Sequence, residues 1–262
     1  MNAWFEAKAY VRHLIYAGGP HSVHSPSVFE LITKILVPQR HFQCFETIEH
    51  KRTELLKDKR LVSVLDLGAG SRKDSGHSRQ ISSIAKHVLQ DKKCAQSLFR
   101  IAEHYRPKTI IELGTSLGIT TSYLASASSS ADVYSIEGSS EIADIAKENI
   151  NQLGLTNIKI LTGNFDEVLP ELIKKIGTVD MIIVDGNHRY APTIKYFEEV
   201  VPYCHEKSIL IFDDIHWSGE MEMAWDKIKI NEKVKISIDF FHYGVLLFNN
   251  ALEKQHFCLR LP

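Results

Sequence analysis

Residues 109–124 read Thr-Ile-Ile-Glu-Leu-Gly-Thr-Ser-Leu-Gly-Ile-Thr-Thr-Ser-Tyr-Leu. A β-rich run, Thr109–Leu113, breaks at Gly114, turns through a second glycine at Gly118 and resumes with a helical pattern over Thr120–Ala127. Gly114 and Gly118 permit a tight turn with close backbone approach, and the helix beyond offers unpaired N–H groups at its start. A ligand rich in acceptor atoms fits such a corner, although many strand-to-helix turns carry glycines for geometry alone.

Downstream the same alternation repeats. Asp132–Glu137 (DVYSIE), Asn157–Leu161 (NIKIL), Val179–Asp185 (VDMIIVD) and Ser208–Phe212 (SILIF) are apolar on both faces, as strands buried between helix layers must be. Helical stretches separate them: Ser140–Leu153 with Ser140 as cap, Asp166–Lys175, and Ala191–Tyr203 with Pro192 in the first turn. Five parallel strands are expected. Lys233–Phe240 and Tyr243–Asn249 then follow each other across a short connection at His242, and so can pair only antiparallel. Upstream, helical patterns at Trp4–Tyr16, Ser27–Leu36, Phe45–Lys57, Gln80–Leu89 and Lys93–Tyr105 flank one apolar run, Leu61–Leu67. His21–Pro26 should separate the first two helices, with Ser25 as cap and Pro26 at the first helical position. The expected organisation is a helical N-terminal extension or lid over 1–106 and an α/β domain over 107–262.

Composition narrows the function. The chain has 262 residues, 44% hydrophobic and 24% charged, enough for a full core without metal or cross-link. Lys+Arg 31 against Asp+Glu 32 leaves a net charge of −1, against a role that depends on neutralising nucleic acid or anionic membrane. Cys44, Cys94, Cys204 and Cys258 are far apart and are expected as reduced thiols. The opening MNAWFEAKAYVRH lacks the apolar core of a signal peptide, and no run reaches membrane-span length, so a cytoplasmic protein is expected.

The chemistry-bearing residues fall at strand ends. Glu137 closes the second strand of the alternation, 25 positions beyond Glu112, near the spacing at which α/β folds set a carboxylate on ribose hydroxyls. A solvated loop charge is the plain alternative. Gly163-Asn164-Phe165-Asp166 offers an amide and a ring suited to an adenine, while Asp166 suits capping of the next helix. Asp185-Gly-Asn-His-Arg-Tyr190 and Asp213-Asp214-Ile-His-Trp217 gather three carboxylates beyond strand ends, a composition suited to Mg, Ca or Mn. Asp213 and Asp214 can share a ligand only if the strand ends there. His188 and His216 can each serve as a general base, or as a further ligand tilting the site towards Mn or Fe. Otherwise these carboxylates bond loop amides. Val64-Leu-Asp-Leu-Gly-Ala-Gly-Ser71 looks like a second cofactor turn, but no acid-ended strand follows it. Residues Ser71–Arg79, with His77 and Arg79, read as a surface loop or as a lid that selects the acceptor.

E-L-G-T-S-x-G, I-E-G, G-N-F, V-D-G-N-H-x-Y and F-D-D, in this order across roughly Pro107–Asn249, resemble the class I S-adenosylmethionine-dependent O-methyltransferases around the catechol and caffeoyl-CoA enzymes and their bacterial small-molecule branch. The resemblance implies a Rossmann-like α/β fold, with a mostly parallel seven-stranded sheet ending in an antiparallel hairpin. It implies that Glu112, Gly114, Thr115, Ser116 and Gly118 hold the methionine part of S-adenosylmethionine, Glu137 with Gly138 the ribose, and Asn164 with Phe165 the adenine side. Asp185 is expected near the cofactor and, with Asp213 and Asp214, as a ligand to a divalent metal, Mg or Mn. The sequence departs from the catechol enzymes in carrying Asp214 for an asparagine, and Asn187, His188 and Arg189 where a lysine base stands. The implied reaction is methyl transfer to a hydroxyl of a small molecule, with no nucleic-acid or membrane partner; a homodimer is compatible with it. The competing readings are a nucleotide- or NAD-binding oxidoreductase, disfavoured by the antiparallel end, and a cofactor-binding protein without activity.

Overall fold

A computed structural model describes residues 3–37, 40–64 and 78–262. In chain order, α1 (Ala3–Tyr16) stops before the Gly18-Gly19-Pro20 break, and α2 (Pro26–Glu30) opens with Pro26 after Ser25. Ser25 occupies the cap position, but its hydroxyl meets Ser27 Oγ at 3.1 Å rather than a backbone N–H. The chain continues as a π-helical turn over Leu31–Ile35, closed by Leu36 N–H donating to the Leu31 carbonyl at 2.9 Å. Next come α3 (Gln43–Leu55), β1 (Leu61–Ser63), β2 (Ser78–Gln80), α4 (Ile81–His87) and α5 (Lys92–Tyr105). The alternating part then runs β3 (Thr109–Leu113), α6 (Ile119–Ala127), β4 (Asp132–Glu137), α7 (Ser140–Gln152), β5 (Ile158–Thr162), α8 (Phe165–Ile176), β6 (Val179–Val184), α9 (Tyr190–Val200), β7 (Cys204–Asp213), α10 (Gly219–Lys229), β8 (Ile236–Asp239), β9 (Tyr243–Leu247) and β10 (Gln255–Cys258). The cap of α7 is Ser139, one residue before the expected Ser140, and its side chain makes no capping bond.

The chain divides into two compact units, Met1–Pro38 with Ile173–Pro262, and Gln39–Leu172. Among the described residues, β3–β5 form parallel pairs in the second unit and β6–β10 a mixed sheet in the first, eight strands against the seven expected. In the second unit β3 pairs parallel with β4, and β4 with β5. In the first unit β6 pairs parallel with β7, while β9 lies antiparallel between β7 and β8, as the short connection at His242 requires. The additional strand is β10, which adds parallel to β8.

The core of the second unit shows why its helices form where they do. In α5, Asp91 caps the N-terminus by accepting from Lys93 N–H at 2.8 Å, and Ala95, Leu98, Phe99, Ile101 and Ala102 make a buried stripe at helical spacing. Phe99 meets Phe45 edge-on at 4.8 Å between centroids, and Phe45 meets Tyr123 at 5.3 Å. Each such side chain contributes about 1.5–3 kcal/mol on burial, and the buried Tyr123 hydroxyl is satisfied by donating to Glu49 Oε1 at 2.8 Å. The ribbon of β1 and β2 is antiparallel, with Val62 paired to Arg79 and both buried. Most of the glycine motif at Val64–Ser71 and of the polar run Ser71–Arg79, including His77, lies outside the described residues. No described helix is long and apolar enough to cross a membrane.

Candidate functional site

In the second unit the turn after β3 and the end of β4 face each other. Gly114 N–H donates to the Ile136 carbonyl at 3.0 Å, drawing the turn onto the strand end. Gly114 and Gly118 have φ of 103° and 80°, and Ser116 takes the left-handed region with φ 48° despite its side chain. Glu137 holds that turn: its Oε2 accepts from Ser116 N–H at 2.9 Å, and its Oε1 accepts from Ser139 N–H at 3.0 Å. The carboxylate and the glycine corner therefore share one strand edge.

Beneath the turn, Glu112 is almost wholly buried. Its Oε2 accepts from the hydroxyls of Thr121 and Ser135, each at 2.5 Å, and Thr115 Oγ1 joins the same network at 2.6 Å from Ser135 Oγ. Burial pushes the Glu112 carboxyl up to about 7, against the lowering effect of those two hydroxyl donors. Glu112 is thus a brace of the turn as well as a candidate ligand. Two buried polar atoms in this turn, Glu112 Oε1 and Ser116 Oγ, lack a hydrogen-bond partner. Unpaired buried polar atoms cost about 1–3 kcal/mol each, so a pair of them beside a glycine turn fits a ligand that supplies donors and acceptors.

At the end of β5, Asn164 caps the next helix: its Oδ1 accepts from Asp166 N–H at 3.0 Å. Asp166 was the expected cap, and Asn164 takes that place because its side chain can fold back over the first free N–H. Phe165 beside it is half-buried.

In the first unit the ends of β6 and β7 carry the carboxylates. Val184 pairs with Phe212, so Asp185 and Asp213 are the next residues along neighbouring strands. β7 ends at Asp213, and Asp214 enters the left-handed region with φ 53°, which meets the condition that the strand stop between the two aspartates. Asn187, with φ 55°, shapes the other loop and donates from Nδ2 to Tyr196 Oη at 3.0 Å. His188 Nε2 lies 3.7 Å from Asp185 Oδ1 and 3.9 Å from Asp214 Oδ2. Solvent reaches about a third of the Asp214 side chain (34%), yet the surrounding atoms desolvate its carboxyl and push it up, with His188 and His242 opposing. His242, at the hairpin connection, accepts from Asp214 N–H through its carbonyl at 2.6 Å.

The aspartates do not form a set in which every donor atom lies within 4.8 Å of the others; the described set with that property is His13, His216 and Asp239. His216 stands in that set, apart from His188. Its Nδ1 meets Glu222 Oε1 at 2.7 Å and its Nε2 meets Asp239 Oδ2 at 2.8 Å, so both ring nitrogens are engaged. Asp239 lies 23 positions away on a strand end, which is why the sequence groups His216 with His188 instead.

A family model described as a methyltransferase domain matches residues 111–215. Among solved structures, an O-methyltransferase from Bacillus cereus in complex with S-adenosylhomocysteine superposes with a TM-score of 0.56 at 16% identity, covering 80% of this chain and 93% of that one. The O-methyltransferase TomG from Streptomyces achromogenes, in complex with S-adenosylmethionine, gives 0.58 at 14% identity over 80% and 92%. A Podospora anserina methyltransferase bound to S-adenosylhomocysteine gives 0.60 at 13% identity over 87% and 98%. At such identities the likeness is one of fold. Residues 111–215 thus match a methyltransferase domain, and the chain shares its fold with these methyltransferases.

Proposed function

We propose that the protein transfers a methyl group from S-adenosylmethionine to a hydroxyl of a small molecule. The observation that carries this reading is the Glu137 carboxylate, bound through Ser116 N–H to a glycine turn that contains two unpartnered buried polar atoms. A carboxylate can accept from two hydroxyls at once, which suits the paired hydroxyls of a ribose. Gly114, Thr115, Ser116 and Gly118, with Glu112 Oε1 and Gly138, are proposed to hold the remainder of the cofactor, and Asn164 with Phe165 its adenine side. The bound cofactor supplies an already activated methyl group, so the chain's own task is to orient the acceptor oxygen, exclude water and take a proton.

His188 is the proposed base, since it stands between Asp185 and Asp214 without the double carboxylate engagement that occupies His216. Asp185, Asp213 and Asp214 would hold a divalent ion. Their oxygen donors fit Mg or Mn, and the raised Asp214 carboxyl is what a neighbouring cation would relieve, although the side chains would have to turn inward to share it. A bound ion would lower the pKa of the acceptor hydroxyl.

Calorimetric titration with S-adenosylhomocysteine and with NAD tests the cofactor: binding of the first alone is expected, and absence of it would falsify the assignment. Methyl transfer to a panel of catechols and sugars, with and without chelator, tests the acceptor class and the metal separately. Asp214→Ala should spare cofactor affinity and abolish transfer, and His188→Gln should lower kcat by about 10²-fold or more. Full activity in chelator removes the ion and leaves the remainder of the proposal standing.

A further inference from the structure

We propose that His13, His216 and Asp239 form a second, separate site for a zinc-class transition metal, with Cys258 beside His13 as a further donor. All four residues belong to the first unit, yet they come from four elements: the last turn of α1, the loop after β7, the end of β8 and the end of β10. One donor atom from each of His13, His216 and Asp239 falls within 4.8 Å of the others. His13 Nδ1 lies 3.4 Å from Asp239 Oδ1 and 3.3 Å from Cys258 Sγ, and His216 Nε2 lies 2.8 Å from Asp239 Oδ2. With metal–ligand distances of about 2.0–2.3 Å, a tetrahedral site has ligand–ligand edges of roughly 3.3–3.6 Å. The His13 separations from Asp239 and Cys258 match such edges, while His216 meets the other Asp239 oxygen and must draw back by roughly half an ångström.

The surroundings are those that orient metal-binding imidazoles. His216 turns its Nδ1 to Glu222 Oε1 at 2.7 Å, which leaves Nε2 as the inward atom, and Arg12 in turn pairs with Glu222. The His216 ring stacks on Phe241 at 5.2 Å with a 13° interplanar angle, while His13 meets the same ring edge-on at 5.5 Å. Phe241 takes φ 73° and donates its N–H to Asp239 Oδ1 at 2.8 Å, fixing the carboxylate. The His13 side chain is 4% exposed, that of His216 11% and that of Asp239 17%, so the donors are sheltered from bulk water. Imidazole, carboxylate and thiol donors select Zn, Co or Ni over Mg or Ca. The site would tie α1 to the strand ends of its own unit, in place of an ion-paired cluster that does the same work without metal.

The test titrates chelator-treated, dialysed full-length protein with Co(II) and follows its visible d–d absorption. The result expected is one equivalent that gives the intense bands of a four- or five-coordinate ion, set apart from the weak bands of any six-coordinate ion on the Asp185, Asp213 and Asp214 oxygens, displaced by Zn(II), with a Zn-dependent rise in melting temperature. His13→Gln and His216→Gln should each weaken binding by tenfold or more, while Asp214→Asn, which alters only the proposed transfer site, should leave the spectrum unchanged. A near-ultraviolet thiolate-to-cobalt band lost in Cys258→Ser assigns the fourth donor, and its persistence there removes Cys258 from the set. Absence of Co(II) absorption in the wild type, or a spectrum that survives both histidine variants, or one that disappears in Asp214→Asn, overturns the proposal. Because the readout is metal binding, it is independent of whether the chain transfers methyl groups.

Discussion

The two carboxyl groups that frame the glycine turn behave in opposite ways, and each carries its own prediction. Glu137 is held by two backbone N–H groups, both of which it accepts from, so its carboxylate is set as an acceptor. Glu137→Ala should weaken S-adenosylhomocysteine binding by at least tenfold, about 1.4 kcal/mol or more, measured by calorimetry on protein whose circular dichroism is unchanged. An unaltered dissociation constant would remove Glu137 from the cofactor site. Glu112 is buried and its carboxyl is pushed up from 4.5 to about 7. Between those values the unfolded chain has lost the proton and the folded chain has kept it, so stability falls as pH rises through that window and levels off above it. The size of the fall is on the order of 3 kcal/mol at most. Glu112→Gln should flatten the slope in denaturant-midpoint measurements across pH 4.5 to 7. A wild-type midpoint that rises through the same range contradicts the assignment.

At the level of elements, the strands were legible wherever burial on both faces made a continuous apolar run. Thr109–Leu113 and Asp132–Glu137 were read to the residue, and the antiparallel pairing of β8 with β9 followed from the short connection at His242. β10 escaped because its four residues, Gln-His-Phe-Cys, show neither alternation nor a β-branched run; its partner strand, rather than its own sequence, makes it a strand. The engagement of His216 was equally hidden, since Asp239 lies 23 positions away on a strand end. Another non-local constraint falls on Gly244 in β9. A Cβ there would come within 2.6 Å of Trp225 Cζ3 and 2.7 Å of Cζ2, on an α10 side chain that is itself only 4% exposed. Gly244→Ala should therefore cost about 1–3 kcal/mol through overpacking, more than the roughly 0.4–1 kcal/mol gained by restricting the unfolded chain. Combining it with Trp225→Phe should recover part of that loss beyond additivity in a double-mutant cycle. A neutral or stabilising Gly244→Ala would show that the strand and helix can move apart freely.

For the molecule as a whole, the sequence singled out strand ends as the place where chemistry is expected, because parallel α/β sheets put ligands beyond the carboxyl ends of their strands. It did not disclose which of those residues are committed to one another, because that depends on contacts such as His13 with Asp239, 226 positions apart in the chain. Cofactor binding offers a global measure of the first part. A ligand that binds only the folded chain adds about 2.7 kcal/mol when present at 100 times its dissociation constant, and a chain of this size moves its melting temperature by roughly 2–4 °C per kcal/mol. Saturating S-adenosylhomocysteine should therefore raise the melting temperature by roughly 5–10 °C, and NAD at the same concentration should not. In Glu137→Ala the same ligand concentration, now only about ten times the weakened dissociation constant, should give about half that shift. If NAD raised the melting temperature as much as S-adenosylhomocysteine, or if Glu137→Ala kept the full shift, the glycine turn and its carboxylate would not be the place where the adenosyl ligand is held.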